Sequence, residues 1–104
     1  MAGDEMARWV ALFRDDPSAD WVRKKHNQEH FDYLAAHSDK IKIDGGLRPS
    51  PDEWFCGGLW VLEVSDRAEA VRLVEEDPYF KLGLRTGYDL FVWGKAPIYG
   101  AIQL

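Results

Sequence analysis

Gly58-Leu59-Trp60-Val61-Leu62-Glu63-Val64 is the stretch that decides the fold. Successive side chains of an extended strand point to opposite faces. Trp60, Leu62 and Val64 therefore share one face, and Leu59 and Val61 make the other face apolar as well. The run Trp9-Val10-Ala11-Leu12-Phe13 repeats the pattern, with Trp9, Ala11 and Phe13 set against Val10 and Leu12. Tyr88-Asp89-Leu90-Phe91-Val92-Trp93 does so again, with Leu90 and Val92 against Phe91 and Trp93. A sheet built from such strands needs cover on both faces.

Between these strands the sequence places two helices. Arg14-Asp15-Asp16-Pro17 is a turn cluster, after which Ser18 is read as the cap of a long helix running to about Asp39 without Gly or Pro. Lys40-Ile41-Lys42-Ile43-Asp44 alternates polar and apolar, as a strand with one buried face does. Gly45-Gly46 follows it, and Pro49-Ser50-Pro51-Asp52-Glu53 marks a loop. Asp66 with Glu69 forms a capping box for a second helix, Arg67 to Glu76. A short helical turn from Pro78 to Leu84 leads into the last strand.

The order β-α-β-β-α-β is the split pattern of ferredoxin-like α+β domains, an antiparallel sheet with both helices on one face. Two helices on one side leave the other apolar face open, a larger patch than a monomer usually exposes. The expectation is a homodimer packed sheet to sheet, of the dimeric α+β barrel type.

With 104 residues, 46% of them hydrophobic, and five Trp, the chain reads as a single domain, 1–104, with a core from about 6 to 95 and a C-terminal tail 96–104. The formal net charge of −5 and the lack of a basic patch argue against nucleic acid and anionic membranes as partners. Arg23-Lys24-Lys25 is read as a solvated helix face. The start of the chain has no basic segment followed by an apolar run, and no stretch approaches the ~20 apolar residues of a membrane span. A cytoplasmic protein is expected. Cys56 stands alone, which excludes an internal disulfide and a cysteine-based zinc site.

All three histidines, His26, His30 and His37, fall on the first helix within a narrow arc at ~100° per residue. His-x-x-x-His is a metal-ligand spacing, but Asn27 follows His26 where a zincin carries glutamate, and no third ligand is indicated. No metal is expected. His30 neighbours Leu34, with Phe31 and Ala35 read as core-facing, so it belongs at the edge of the buried face. There it is either a general acid or base or a histidine bonded to a backbone carbonyl.

Asp77-Pro78 reads as an N-cap with proline in the first helical position, an arrangement worth ~1 kcal/mol. The same geometry holds a carboxylate rigid and ionised, able to orient a histidine or accept a proton. Tyr79 offers either packing or a pocket hydroxyl. Gly45-Gly46 lacks the context of a phosphate loop and suits a bend or the close approach of a ligand. Ser50 and Ser65 read as turn and capping residues. Trp54, Trp60 and Trp93 read as core aromatics or as an aromatic pocket lining.

The motifs His30-Phe31-Asp32-Tyr33-Leu34, Ile43-Asp44-Gly45-Gly46-Leu47, Ser65 to Ala70, and Asp77-Pro78-Tyr79 followed by Gly83-Leu84 resemble the YCII-related (YciI-like) family from about Trp9 to Trp93. The resemblance implies a ferredoxin-like domain in a dimeric α+β barrel, with an active site pairing His30 with Asp77. It also implies chemistry on muconolactone-type compounds, dehydrohalogenation included. Gly46 stands where the family often has proline, and the loop from Arg48 to Cys56 is particular to this chain.

The reading that follows is a cofactor-independent lyase or isomerase moving a proton on a small organic acid or lactone. His30 and Asp77 would be catalytic, with Tyr79, Gly45 and Gly46 near the substrate; Arg48 and Arg85 read as surface residues, either of which could instead meet its carboxylate. The alternatives are a non-catalytic small-molecule-binding or accessory domain, and a cofactor-free monooxygenase on the same barrel.

Overall fold

Four antiparallel strands form one sheet in the computed structural model, which describes residues 6–100. The first five residues, on which the reading of the chain's start rests, and the end of the C-terminal tail lie outside them. The strands are β1 (Ala7–Asp15), β2 (Ile41–Leu47), β3 (Gly57–Val64) and β4 (Arg85–Val92), in the spatial order β2-β3-β1-β4. Helices α1 (Asp20–Ala36), α2 (Arg67–Glu76) and the short α3 (Pro78–Lys81) complete the ferredoxin-like α+β order.

The register of the two central strands shows why both faces are apolar. Trp9 lies opposite Leu62, Ala11 opposite Trp60 and Phe13 opposite Gly58. Trp9, Ala11, Phe13, Trp60 and Leu62 face the helices and form the core with Ile41, Val64, Ala70, Leu73, Val74 and Leu90. The alternate pairs, Val10 with Val61 and Leu12 with Leu59, face away from the helices. With Ile43 and Phe91 they line an apolar hollow of about 470 Å³.

Three local expectations are corrected. The first helical turn is capped by Asp16, whose side chain accepts from the Ser18 amide at 2.9 Å; Ser18 sits inside a 3-10 turn, Pro17–Ala19, ahead of α1. The side chain of aspartate reaches the second residue after it, so the earlier acceptor takes the cap. Helix α1 ends at Ala36 rather than near Asp39, and its buried residues are Val22 and His30. Phe31 is 49% exposed and Ala35 is also exposed, whereas Tyr33 and Leu34 pack on the core.

The second strand departs most from its reading. Ile41 pairs with Leu62 but Ile43 pairs with Val61, because a bulge at Lys42 inserts one residue into the ladder. A bulge shifts the phase of every side chain after it. Ile41 is therefore buried and Ile43 lies on the far face, 37% exposed. Gly45 and Gly46 lie within the strand, opposite Leu59 and Gly58, rather than after it.

Helix α2 runs from Arg67 to Glu76 as read, with Asp66 accepting from the Glu69 amide at 2.9 Å. The return bond of the capping box goes to Ser65 instead of Asp66. Helix α3 closes with the Gly83 amide on the Phe80 carbonyl and the Leu84 amide on the Tyr79 carbonyl. That Schellman pattern needs a left-handed residue, and Gly83 supplies it with φ of +85°. It turns the chain directly into β4 at Arg85. No helix among the described residues is long and apolar enough to cross a membrane.

Candidate active site

His30 is carried into the core by α1 and is only 2% exposed. Asp77, 0% exposed, occupies the joint between α2 and α3. Its backbone ends α2 and its Oδ1 accepts from the Tyr79 amide at 3.1 Å, so the expected cap is present. The same oxygen lies 2.8 Å from Nδ1 of His30. The cap thus holds the carboxylate rigid, and Nδ1–H donates to it in the tautomer that this network selects.

The bulge at Lys42 adds a residue that the alternation of polar and apolar positions did not reveal. It turns Asp44 to the helix face opposite Trp60, where Oδ2 lies 3.4 Å from Nε2 of His30. His30 therefore stands between two carboxylates, one on each ring nitrogen, and among the described residues bonds no backbone carbonyl through either. Burial alone pulls its pKa down, but hydrogen bonds and charge from Asp44 and Asp77 outweigh that and hold it above the ordinary histidine value. Asp44 is the more open partner, with 20% of its side chain exposed against 1% for Asp77.

Tyr79 stacks on the imidazole with ring centroids 3.8 Å apart and 10° between planes. Burial raises its phenol pKa, so it stays neutral and packs as a flat wall. Arg85 is not at the surface and does not line the pocket. Its side chain is 1% exposed, with Nη2 3.4 Å from Oδ2 of Asp77 and the guanidinium over the Phe13 ring at 3.6 Å. Two unit charges about 4 Å apart attract by about 4 kcal/mol at an effective dielectric of about 20, while burying each ion costs several. Such a pair adds little net stability.

A hollow of about 350 Å³ opens beside these groups, a volume suited to a small ligand. His30, Asp44, Asn27 and Arg23 supply its polar lining, and Phe31, Trp54, Phe55 and Tyr79 its aromatic walls. Gly45 and Gly46 form part of the rim. The close approach at Gly46 is made by the chain's own Phe55: a Cβ there would lie 2.4 Å from its ring. The loop 48–56 thereby becomes a wall of the pocket. The hollow on the opposite sheet face is larger but lined by apolar side chains, and the acid/base groups are not there.

Arg23, read as part of a solvated face, is 12% exposed in its side chain. It bonds Asp15 at 3.0 Å and the Gly57 carbonyl at 2.9 Å. Arg48 lies at a neighbouring depression and bonds the Pro51 carbonyl at 3.4 Å. His26 bonds Glu29 at 2.9 Å and His37 bonds the Tyr33 carbonyl at 2.9 Å, so the three histidines diverge to separate partners. Among the described residues no group of three or more His, Cys, Asp or Glu is placed to hold a metal ion. Cys56 is exposed, Ser50 bonds Glu53 in a turn, Trp60 is core, and Trp93 lines the far apolar hollow.

Similarity to known proteins bears on the same frame. The model of the YCII-related domain matches residues 7–94. Among solved structures, the 5-chloro-2-hydroxyhydroquinone dehydrochlorinase (TftG) from Burkholderia phenoliruptrix, in complex with 2,5-dihydroxybenzoquinone, superposes with a TM-score of 0.76. It shares 22% identity over 86% of this chain and 95% of its own. The fold is therefore shared. No match was found among curated proteins.

Proposed function

We propose that this chain, which belongs to the YCII-related domain family, is an enzyme that moves a proton on a small cyclic organic acid, lactone or hydroxylated ring. The reaction is an elimination or an isomerisation, with His30 and Asp77 as the acid/base pair. The observation that carries this reading is the buried contact between Nδ1 of His30 and Asp77, with the Nε2 side of the ring turned to Asp44 at the pocket. The dehydrochlorinase that shares the fold supports elimination as the reaction class.

In such an elimination a substrate proton passes to the base, its bonding pair becomes a new double bond, and the leaving group departs with the pair that held it. Isomerisation shares the first half, and the proton returns at another carbon. Neutral His30, with Nδ1–H donating to Asp77, presents the lone pair of Nε2. Once protonated, the imidazolium lies between two carboxylates. A positioned acid or base of this kind contributes about 10²–10⁴ in rate. The aromatic walls Phe31, Trp54, Phe55 and Tyr79 favour a flat substrate ring.

A second copy of the chain is the proposed cover for the apolar sheet face, packed sheet to sheet. Phe91 is 55% exposed there, next to Val10, Leu12, Leu59 and Val61, a patch better explained by burial in a dimer than by solvent.

The test is turnover by the purified protein of chlorinated hydroquinones, read as chloride release, and of unsaturated lactones, read as double-bond migration. Product formation supports the reading. Saturable binding of the same compounds without product would replace it with a binding module that does no chemistry.

A further inference from the structure

Arg85 is a buried cation that the proton-transfer scheme does not use. Its Nη2 lies 3.4 Å from the outer oxygen of Asp77, an oxygen with no hydrogen bond among the described residues. Its Nε and Nη1 find no hydrogen-bond partner among them either. The guanidinium is boxed by the rings of Phe13, Trp60 and Tyr79, at 3.6, 5.7 and 5.5 Å. A leucine or methionine would fill such an aromatic box with less desolvation. Packing alone does not explain an arginine here, where the guanidinium faces the buried charge of Asp77.

The charges of the site suggest what does. Around His30 stand Asp77 from the α2–α3 joint, Asp44 from β2 and the neutral Tyr79 from α3. Arg23 from α1 lies at the pocket but is matched by Asp15 of β1. Without Arg85, two carboxylates would flank one imidazole in a desolvated setting, and a proton placed there would be held tightly. A base that never releases its proton cannot turn over.

We propose that Arg85 is a positioning residue that sets how tightly the site holds its proton. Its positive charge, beside the outer oxygen of Asp77, opposes at His30 the field of the two carboxylates, so that the imidazolium gives up its proton more readily than it would between uncompensated charges. This inference rests on the proton-transfer reading of the pocket, and its test is independent of turnover.

The measurement is the titration midpoint of the His30 imidazole, followed by its carbon-bound ring protons in NMR spectra of the full chain. Arg85→Met and Arg85→Gln should raise the midpoint by about one pH unit, a tenfold gain in proton affinity, while Arg85→Lys should stay nearer the wild type. A midpoint that is unchanged or lowered in the neutral variants overturns the proposal. Should those variants not fold, the comparison is made without an orphaned carboxylate. Asp77→Asn/Arg85→Met should then titrate at least about twofold tighter for the proton than Asp77→Asn, and equality overturns the proposal. Because the readout needs no substrate, a shifted midpoint in a protein that turns nothing over would sink the enzymatic reading and leave the tuning intact.

Discussion

Nδ1 of His30 lies 2.8 Å from Oδ1 of Asp77, and that one oxygen also accepts the Tyr79 amide that starts a helix. Two roles that compete in the sequence, helix cap and histidine partner, are met by a single atom. The cap fixes the carboxylate before any substrate arrives, so the imidazole is oriented at little further entropic cost.

Protonation of His30 should be visible in the stability of the protein. Its pKa is held above the ordinary value, against burial, by Asp44 and Asp77. The folded state then binds the proton more tightly than the unfolded chain. The stabilisation is whole below the unfolded value of about 6.5 and is lost as pH rises through the raised folded value. In urea unfolding, the advantage of wild type over His30→Gln should be larger at about pH 6 than at about pH 9. An advantage that grows with pH would contradict the assignment.

Alanine should be costly at Gly46 and tolerated at Gly45. A Cβ at Gly46 meets the Phe55 ring at 2.4 Å, whereas one at Gly45 meets nothing within 4 Å. Gly46→Ala should cost about 1–3 kcal/mol, as overpacking does, and should weaken ligand binding by displacing the Phe55 wall. Gly45→Ala should be near neutral in both. Thermal unfolding and ligand titration of the two variants check this, and equal effects would remove Phe55 from the pocket.

The apolar sheet face should bring two chains together. Sedimentation at micromolar concentration is expected to give a dimer, and Leu59→Glu should dissociate it, because the charge would sit unpaired in the buried centre of the contact. A wild-type monomer would refute the sheet-to-sheet assembly.

Much of this architecture is legible in residue order, and the failures have physical causes. The two-faced strands around Trp60 and Trp9 announce the sheet because side-chain period depends only on extended backbone. The cap at Asp77 is legible because proline after aspartate leaves few other conformations. Asp44 was hidden: alternation from Ile41 to Asp44 points it away from the helices, and only the bulge at Lys42, set by pairing with β3, turns it back. Arg85 was hidden for a related reason. An arginine after a glycine turn looks solvated until the Schellman turn at Gly83 drives it into the core. Arg23 and Phe55 join the pocket through contacts distant in sequence, with the Gly57 carbonyl and with Gly46, that no local pattern carries.

If the His30–Asp77 pair performs the proton transfer, steady-state kinetics of two variants on any compound the wild type converts will register its loss. His30→Ala is predicted to lower kcat by at least about 10²-fold. Asp77→Asn, which keeps a capping oxygen but not the charge, is predicted to lower kcat and to shift the pH profile. Unchanged kcat in both variants would contradict the account.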